Sequence, residues 1–269
     1  MISQIVAIIF GAVVLAVVAL GLFQRRMVYQ PNQHVWTPDD TGLSNMVPIR
    51  LRSQDGFLLN GWYAPPRDRF QPTVVLFPDS IGQGVERTAK VRSFAQAGFG
   101  MLVAGYRGYG GNVGSPSEEG LYADARAALG WLISRGVPEG QIVLYGESLG
   151  AGVAVQMGTE HPNLVAVVLE APFTRLLDLA PALLPPGFAE LTMADRYDNR
   201  VKISRVRAPL LIVHGEQDKV VPVAMGHELK DLARMGSQSE VLPMAGHDDV
   251  WRQGGEAAVL SFIRTQIEP

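Results

Sequence analysis

The chain has 269 residues, enough for one large α/β domain or two small ones. Its hydrophobic fraction of 47% and charged fraction of 18% are typical of a folded chain with a full core. A net charge of −3 does not favour nucleic-acid binding, and the lack of cysteine excludes disulfides, thiolate metal sites and a cysteine nucleophile.

The first predicted element is an apolar run over residues 5–23, which contains no charged or strongly polar side chain. A helix of this length rises about 28 Å, close to the hydrocarbon thickness of a bilayer. A cleaved signal peptide would need a basic start and an A-x-A-like site, and a buried core helix would be unusually long. We therefore predict an uncleaved transmembrane anchor with its basic flank over residues 1–26. Arg25 and Arg26 favour a cell-membrane protein whose following domain is cytoplasmic.

Residues 27–46 contain prolines and a glycine without apolar periodicity, which predicts a linker. A single domain is predicted over residues 47–269. It is expected to begin with an antiparallel hairpin, because alternating segments at 47–53 and 57–64 flank an Asp-Gly turn.

Beyond the hairpin, short apolar segments alternate with amphipathic ones, which predicts an α/β fold with a mostly parallel sheet and helices on both faces. Ser117 is the predicted N-cap of one of these helices. The predicted strands cover residues 73–77, 100–104, 142–145, 164–169, 209–213 and 240–243. The predicted helices cover residues 85–97, 118–135, 225–235 and 256–267, with one more directly after residue 150.

Residues 175–207 interrupt this alternation with prolines and with Leu/Ala/Phe-rich pieces at helical spacing. We predict a short apolar lid; an ordinary crossover helix with a long loop fits the pattern equally well. In both interpretations the segment overhangs the carboxyl ends of the strands, where open α/β sheets bind ligands.

The most specific motif is the pentad 146–150, Gly-Glu-Ser-Leu-Gly, between a predicted strand and a predicted helix. G-x-S-x-G in this context is the nucleophile elbow, which presents a serine on a sharp turn with strained backbone angles. The two glycines let the strand and the helix pass closely. Ser148 is therefore the predicted nucleophile. The alternative is a glycine-rich turn whose serine only caps the helix.

A serine nucleophile needs a base, and in this context an acid and then a histidine follow it along the chain. His247 is the predicted base because it lies in a loop after the last predicted strand. His214 lies at a strand end, where we expect it to pack or hydrogen-bond, and His161 and His227 lie on predicted helix surfaces.

Asp218 is the predicted acid, because the loop after its strand turns at Gly215 and must reach the histidine before Pro222. Glu216 is the alternative acid, and a solvated loop carboxylate is the ordinary role of both residues.

Two backbone N–H groups are needed to bind the oxyanion. Leu149 supplies one in our prediction, because it follows the nucleophile at the start of a helix. The other is expected from the loop after the strand at 73–77. Since Pro78 has no N–H group, Ser80 is the predicted donor.

Together these segments resemble the α/β-hydrolase superfamily, and within it the Bem46-like group of membrane-anchored serine hydrolases. That group has an N-terminal anchor and the motifs F-H-G-N-x-G-N, D-Y-R-G-Y-G, P-S-E-x-G-L-x-x-D, G-x-S-x-G, H-G-x-x-D-x-x-V-P and G-G-H. The counterparts here follow in the same order, at residues 77–83, 105–110, 116–124, 146–150, 214–222 and 245–247. The resemblance covers nearly all of the chain after the predicted linker, and it is specific for fold and chemistry but not for substrate.

Two positions depart from the family pattern. Pro78 and Asp79 replace His-Gly, which brings a carboxylate near a site that should stabilise negative charge. Gly105 replaces an aspartate, so any support from that side chain is absent.

The residues and the resemblance both predict acyl transfer to water through an acyl-enzyme. The resemblance favours ester or thioester cleavage on a lipid-like acyl substrate or an acylated protein, because the family includes thioesterases that act on lipidated proteins. The alternatives are a serine aminopeptidase-like amide hydrolase and a membrane-tethered pseudoenzyme that binds an acyl ligand or a protein partner. We expect no metal and no cofactor, and the glycine-rich turn at 108–111 lacks the strand–helix context of a phosphate-binding loop.

Overall fold

The computed structural model describes residues 4, 11, 15, 25–35, 37, 45–81, 85–179, 190 and 193–267. The apolar run predicted as an anchor, 5–23, lies outside these residues except at positions 11 and 15. Among the helices of the described residues, none combines the length and the apolar character needed to cross a membrane.

Eight strands and six α-helices form the described part of the domain. The strands are β1 Val47–Arg52, β2 Leu58–Ala64, β3 Thr73–Phe77, β4 Gly100–Val103, β5 Ile142–Glu147, β6 Ala166–Glu170, β7 Leu210–Gly215 and β8 Gln238–Leu242. The helices are α1 Val85–Gln96, α2 Glu118–Ile133, α3 Leu149–Glu160, α4 Asn199–Lys202, α5 Val223–Leu232 and α6 Glu256–Ile267. Short 3₁₀ turns occur at Glu139–Gln141, Leu176–Leu179 and Ile203–Arg205, and a π turn at Trp251–Gly255 precedes α6.

The strands form one sheet in the order β1-β2-β4-β3-β5-β6-β7-β8. The pairs β1–β2 and β2–β4 are antiparallel, and the strands from β4 to β8 are parallel. This confirms the predicted mostly parallel sheet with an antiparallel hairpin at one edge. The carboxyl ends of β3, β5, β6 and β7 meet at one edge of the sheet, where the site lies.

Both faces of the sheet are covered, as predicted. Side chains of a strand alternate between faces, so Val75 and Phe77 join one buried cluster while Val74 and Leu76 join the other. The first cluster includes residues of α2 and α3, and the second includes residues of α1 and α6. Ser117 caps α2 as predicted, since its Oγ accepts a hydrogen bond from Gly120 N at 3.1 Å.

The last strand differs from its prediction. β8 begins at Gln238, two residues before the predicted start at 240, and residues 238–240 are exposed. β8 is the edge strand, and it pairs through its backbone with β7. Because solvent-facing residues of an edge strand need no apolar pattern, periodicity alone could not locate this boundary.

Of the predicted lid, 175–207, the structure describes residues 175–179, 190 and 193–207. They contain two 3₁₀ turns and the short helix α4. Of the predicted linker, 27–46, it describes residues 27–35, 37, 45 and 46. Tyr29 in this segment is buried in the core beside α2 and α3, with 2% exposure.

Candidate active site

Ser148 lies on the turn between β5 and α3, with a φ of 48° that is rare for a residue with a side chain. The flanking glycines are required by close approach: a Cβ at Gly146 would lie 2.4 Å from Gly150 O, and one at Gly150 would lie 2.0 Å from Phe77 O. The Ser148 side chain makes no cap hydrogen bond to α3, so the helix-cap interpretation is wrong. The hydroxyl is instead held out at the carboxyl edge of the sheet.

The structure brings the three predicted side chains together. His247 Nε2 lies 3.2 Å from Ser148 Oγ, and His247 Nδ1 lies 2.7 Å from Asp218 Oδ2. Since a carboxylate can only accept, Nδ1 carries the proton in this pair and Nε2 is left to accept from the serine. The arrangement is that of a base poised to take a proton from a hydroxyl and an acid that orients the base.

Asp218 is tightly held as an anion. Its Oδ1 accepts from the backbone N–H groups of Val220 and Val221, both at 2.8 Å. Burial acts to raise the pKa of Asp218, but hydrogen bonds from His214, His247 and the Val221 backbone outweigh it and hold this pKa well below its usual value. The carboxylate therefore stays ionised while it orients the imidazole.

The pKa of His247 is raised above its usual value. Burial disfavours the charged imidazolium, but the hydrogen bond and charge of Asp218 outweigh burial, and the charges of Asp248 and Asp79 add to the rise. The site thus stabilises the imidazolium that forms when His247 accepts a proton. The same effect means that His247 becomes a free base only above this raised pKa.

The other histidines lie where the sequence predicted, with one addition. His214 is buried in β7, and its Nε2 contacts Val221 O at 2.9 Å and Asp218 Oδ2 at 3.4 Å. The contact with Asp218 was missed, although the H-G-x-x-D spacing places the two residues four positions apart. His161 ends α3 and contacts Glu139 at 2.7 Å, and His227 is exposed on α5. Within the described part of the chain, no three His, Asp or Glu side chains are grouped to hold a metal ion.

The alternative acid, Glu216, is exposed in the loop after β7. Asp218, and not Glu216, contacts His247 in the structure. Glu216 is therefore an exposed loop carboxylate, and Asp218 is the carboxylate that contacts the predicted base.

One predicted oxyanion donor lies on the nucleophile turn, and the loop that carries the other starts beside this turn. Leu149 is the first residue of α3, where N–H groups have no intrahelical acceptor. Ser80 lies in the loop after β3, which starts against the elbow, because a Cβ at Gly150 would also lie 2.6 Å from Pro78 O. Ser80 O accepts from Tyr109 Oη at 2.8 Å and from Gln30 N at 3.0 Å. The donor roles of Leu149 and Ser80 stay predictions.

The structure explains the two departures from the family pattern. Asp79 Oδ1 accepts from Ile81 N at 2.8 Å, so this carboxylate is tied to its own loop while its charge still acts on His247. A Cβ at Gly105 would lie 1.8 Å from Asn60 O and 2.9 Å from the amide nitrogen of Asn112. No aspartate fits at position 105 without a shift of the Asn60 backbone.

One group beside the nucleophile was missed in the sequence. We call Lys90, Glu147, Glu170 and Tyr145 the elbow cluster. Lys90 Nζ lies 2.6 Å from Glu147 Oε1 and 2.8 Å from both carboxylate oxygens of Glu170, and Tyr145 Oη donates to Glu170 Oε2. Ser148 N donates to Glu170 O at 2.9 Å, so the cluster is joined directly to the nucleophile. Glu147 belongs to the motif, but nothing in the sequence around Lys90 marks it as a partner.

Comparison with known proteins gives relatives over most of the chain. Residues 74–201 match a hydrolase family described as serine aminopeptidase, S33. The α/β hydrolase domain-containing protein WAV2 of Arabidopsis thaliana is 32% identical over 92% of this chain and 89% of its own. Protein bem46 of Schizosaccharomyces pombe is 28% identical over 79% of this chain and 76% of its own.

Solved structures share the fold. An esterase of Pyrococcus furiosus, Pf2001, superposes with a TM-score of 0.69 at 20% identity, covering 89% of this chain and 98% of its own. At that identity the likeness establishes the architecture and leaves the substrate open.

Proposed function

Because this chain belongs to the α/β-hydrolase superfamily, we propose that it is a membrane-anchored serine hydrolase that cleaves ester or thioester bonds through an acyl-enzyme. One observation carries the proposal: Ser148, His247 and Asp218 stand in series at 3.2 and 2.7 Å. A buried anionic acid, a base with a raised pKa and a strained serine are the parts that acyl transfer needs.

In the first half of the mechanism, Ser148 Oγ attacks the acyl carbonyl while His247 Nε2 takes the hydroxyl proton. Asp218 holds the imidazole by its Nδ1–H and stabilises the imidazolium without taking the proton. The N–H groups of Leu149 and Ser80 donate to the oxyanion. The imidazolium then gives its proton to the leaving alcohol or thiol, the C–O or C–S bond breaks, and the acyl group stays on the serine.

In the second half, His247 takes a proton from a water molecule, which attacks the acyl-serine carbonyl. The tetrahedral intermediate collapses, the imidazolium returns its proton to Ser148 Oγ, and a carboxylic acid leaves. Every proton in the cycle passes through Nε2 of one histidine.

The substrate in this proposal is a lipid-like acyl compound or an acylated protein at the cytoplasmic side of the cell membrane. Its support is the apolar run at 5–23 with Arg25 and Arg26 behind it. The Leu/Ala/Phe-rich pieces of the segment 175–207 favour an acyl chain over a polar substrate.

An aminopeptidase-like amide hydrolase is the second candidate, because the matching family is described as serine aminopeptidase. The two are separated by rates on p-nitrophenyl acyl esters and on aminoacyl p-nitroanilides. We expect the esters to be the better substrates by kcat/KM, and faster nitroanilide hydrolysis would favour the amide hydrolase.

The function is tested by a fluorophosphonate probe, which labels an activated serine. The full-length protein should be labelled and Ser148→Ala should not. His247→Ala should lower kcat by about three orders of magnitude or more with the fold intact by circular dichroism. Wild-type protein that resists labelling would favour a binding protein without turnover.

Asp79 makes the pH dependence specific to this chain. Its charge helps to raise the pKa of His247, so Asp79→Asn should lower that pKa and move the acid limb of kcat/KM to lower pH. The amide oxygen of asparagine can still accept from Ile81 N, so the loop is preserved. Asp248→Asn is the matched comparison: its charge also raises the pKa of His247, so this variant should move the limb in the same direction. An unmoved limb in Asp79→Asn would contradict this role.

A further inference from the structure

The segment that follows the apolar run 5–23 lies against the loops of the site. Residues 25–33, here called the strap, start as a helical turn at 25–28 and continue without regular secondary structure. Tyr29 is 2% exposed, and its hydroxyl lies 3.1 Å from the hydroxyl of Tyr197. A segment that only spaced the domain from a membrane would have no reason to bury an aromatic ring. The strap is packed as part of the domain.

The start of the strap is held by the second half of the predicted lid. Arg25 Nε donates to Asp195 Oδ2 at 2.8 Å, and Asp195 Oδ1 accepts from Glu118 N, in the first turn of α2, at 2.9 Å. Tyr197 packs on α3, because a Cβ at Gly152 would lie 2.8 Å from its ring. The strap is thereby fixed to the helix that begins at the nucleophile.

The far end of the strap binds the loop that carries the predicted oxyanion donor. Gln30 N donates to Ser80 O at 3.0 Å, and Asn32 N donates to Ile81 O at 3.3 Å. The two N–H groups belong to alternate residues of the strap. They bind the carbonyl groups of two successive residues of the loop.

The same loop is held from its other side by the turn after β4. Tyr109 Oη donates to Ser80 O at 2.8 Å, so this carbonyl accepts two hydrogen bonds. Gly110 N donates to Asn32 O at 2.8 Å, which closes a ring of contacts between strap, loop and turn. A carbonyl with two donors has both lone-pair directions occupied, which fixes the plane of the peptide group between Ser80 and Ile81. This group adjoins the peptide that carries the N–H group of Ser80.

We propose that the strap positions the loop 78–81 for catalysis, which makes the juxtamembrane segment a positioning part of the active centre. This inference rests on the proposed acyl-transfer function and on Ser80 as an oxyanion donor. A donor stabilises a developing charge only if it is held in place before the charge appears. The strap supplies that restraint at the end of the loop farthest from the nucleophile turn. Because the restraint acts on a donor to the developing charge, we expect it to affect kcat.

The experiment removes one N–H group from the strap. Gln30→Pro deletes the donor to Ser80 O, and the matched control Gln30→Ala changes the same exposed side chain but keeps the donor. Full-length protein in detergent is assayed with p-nitrophenyl butyrate, a short ester that does not depend on membrane access. We expect Gln30→Pro to lower kcat by about tenfold, because the oxyanion donor is displaced and not removed, with KM within about twofold of wild type. Gln30→Ala should behave as wild type.

Further variants keep the proposal testable. Asn32→Pro removes the longer bond to Ile81 O and also the Asn32 Oδ1 that accepts from His34 N, and it should lower kcat less than Gln30→Pro. Asn32→Ala removes only the side-chain bond and is its control, and this pair decides the question if Gln30→Pro does not fold. Tyr109→Phe removes the second donor to Ser80 O, and its combination with Gln30→Pro should lose more than the product of the single effects, because both hold one carbonyl.

A lower thermal midpoint with wild-type kcat in both proline variants would show that the strap serves only stability and would overturn the proposal. Wild-type protein that hydrolyses no ester would instead contradict the proposed function, so the two failures are distinguishable.

Discussion

The domain contains two ionic clusters that hold different segments of the chain in place. The elbow cluster lies directly beneath the nucleophile turn. A second group, the turn cluster of Arg107, Asp124, Asp55 and Ser53, joins the turn after β4 to α2 and to the hairpin. There Arg107 Nη2 lies 2.6 Å from Asp124 Oδ1 and Nη1 lies 2.6 Å from Asp55 Oδ2, while Asp124 Oδ2 accepts from Arg107 N at 2.8 Å. Both clusters pair one cation with two carboxylates.

The clusters differ in their access to solvent. In the elbow cluster the Lys90 side chain is 10% exposed, and those of Glu147 and Glu170 are 7% and 6% exposed. In the turn cluster Asp124 is fully buried while the side chain of Asp55 is 44% exposed. Water can therefore screen part of the charge in the turn cluster, whereas the charges of the elbow cluster must be balanced by groups within the protein.

The backbone beside each cluster also differs. Glu147 and Glu170 are register partners on β5 and β6, and the residues after them, Ser148 and Ala171, have φ of 48° and 47°. Such strain costs about 1–3 kcal/mol per residue and persists only where the surroundings enforce it. Lys90 binds both glutamates and so holds the ends of β5 and β6, directly before the two residues with strained backbone angles. Next to Arg107 the corresponding position is Gly108, which adopts a φ of 80° without that cost.

The comparison is tested most strongly by Lys90→Met, which removes the cation and nearly keeps the volume. Two buried carboxylates then face each other without a counter-ion, so we expect a loss of about 3–5 kcal/mol in unfolding free energy. Because the nucleophile turn loses its clamp, kcat should also fall by about tenfold or more. Urea unfolding and ester hydrolysis measure the two effects; a loss below about 1 kcal/mol with wild-type kcat would show that the cluster is not a clamp.

The control for this variant neutralises the whole cluster. Adding Glu147→Gln and Glu170→Gln to Lys90→Met removes the charges left unpaired, and more than half of the lost stability should return. If kcat stays low in the neutral variant, the clamp needs the ion pairs themselves and not only charge balance.

The sequence could predict that Ser148, Asp218 and His247 lie together, for a definite reason. Ser148 sits in a local strand–turn–helix pattern, and Asp218 and His247 follow it in the chain order that one sheet edge imposes. Lys90 gave no such signal. A lysine on a predicted helix is ordinarily solvated, and its burial depends on two glutamates contributed by separate strands.

The strap was missed for a related reason. Residues 27–46 carry no apolar period, which predicted a linker, and most contacts of the strap use backbone groups such as Gln30 N and Asn32 N. Backbone hydrogen bonds of irregular chain leave no pattern of residue types. Sequence periodicity therefore predicted the sheet, and the motifs predicted the site residues. Contacts made by backbone atoms or by single buried charges could be seen only in the folded structure.

The turn cluster provides the contrast. Asp124→Asn keeps an oxygen that can accept from Arg107 N but removes the charge facing the guanidinium, so we expect a loss of about 2 kcal/mol. In the described part of the chain no side chain of this cluster hydrogen-bonds to Ser148, Asp218 or His247, and kcat should therefore fall much less than in Lys90→Met. A fall in kcat as large as that of Lys90→Met would remove the distinction between the two clusters.

The smallest effect is expected at the exposed end of the turn cluster, in Asp55→Asn. The hydrogen bond from Arg107 lowers the pKa of Asp55 to about 2, so its ion pair stabilises the fold above the usual carboxyl pKa and is lost as the pH falls towards 2. Because the carboxylate is largely exposed, water screens the pair, and the loss at pH 7 should stay below about 1 kcal/mol. Urea unfolding of wild type and variant at neutral and acid pH should show a small gap that closes towards pH 2. A gap that persisted there would mean that the charge of Asp55 is not what stabilises the fold, since asparagine keeps an oxygen that can accept from Ser53 Oγ.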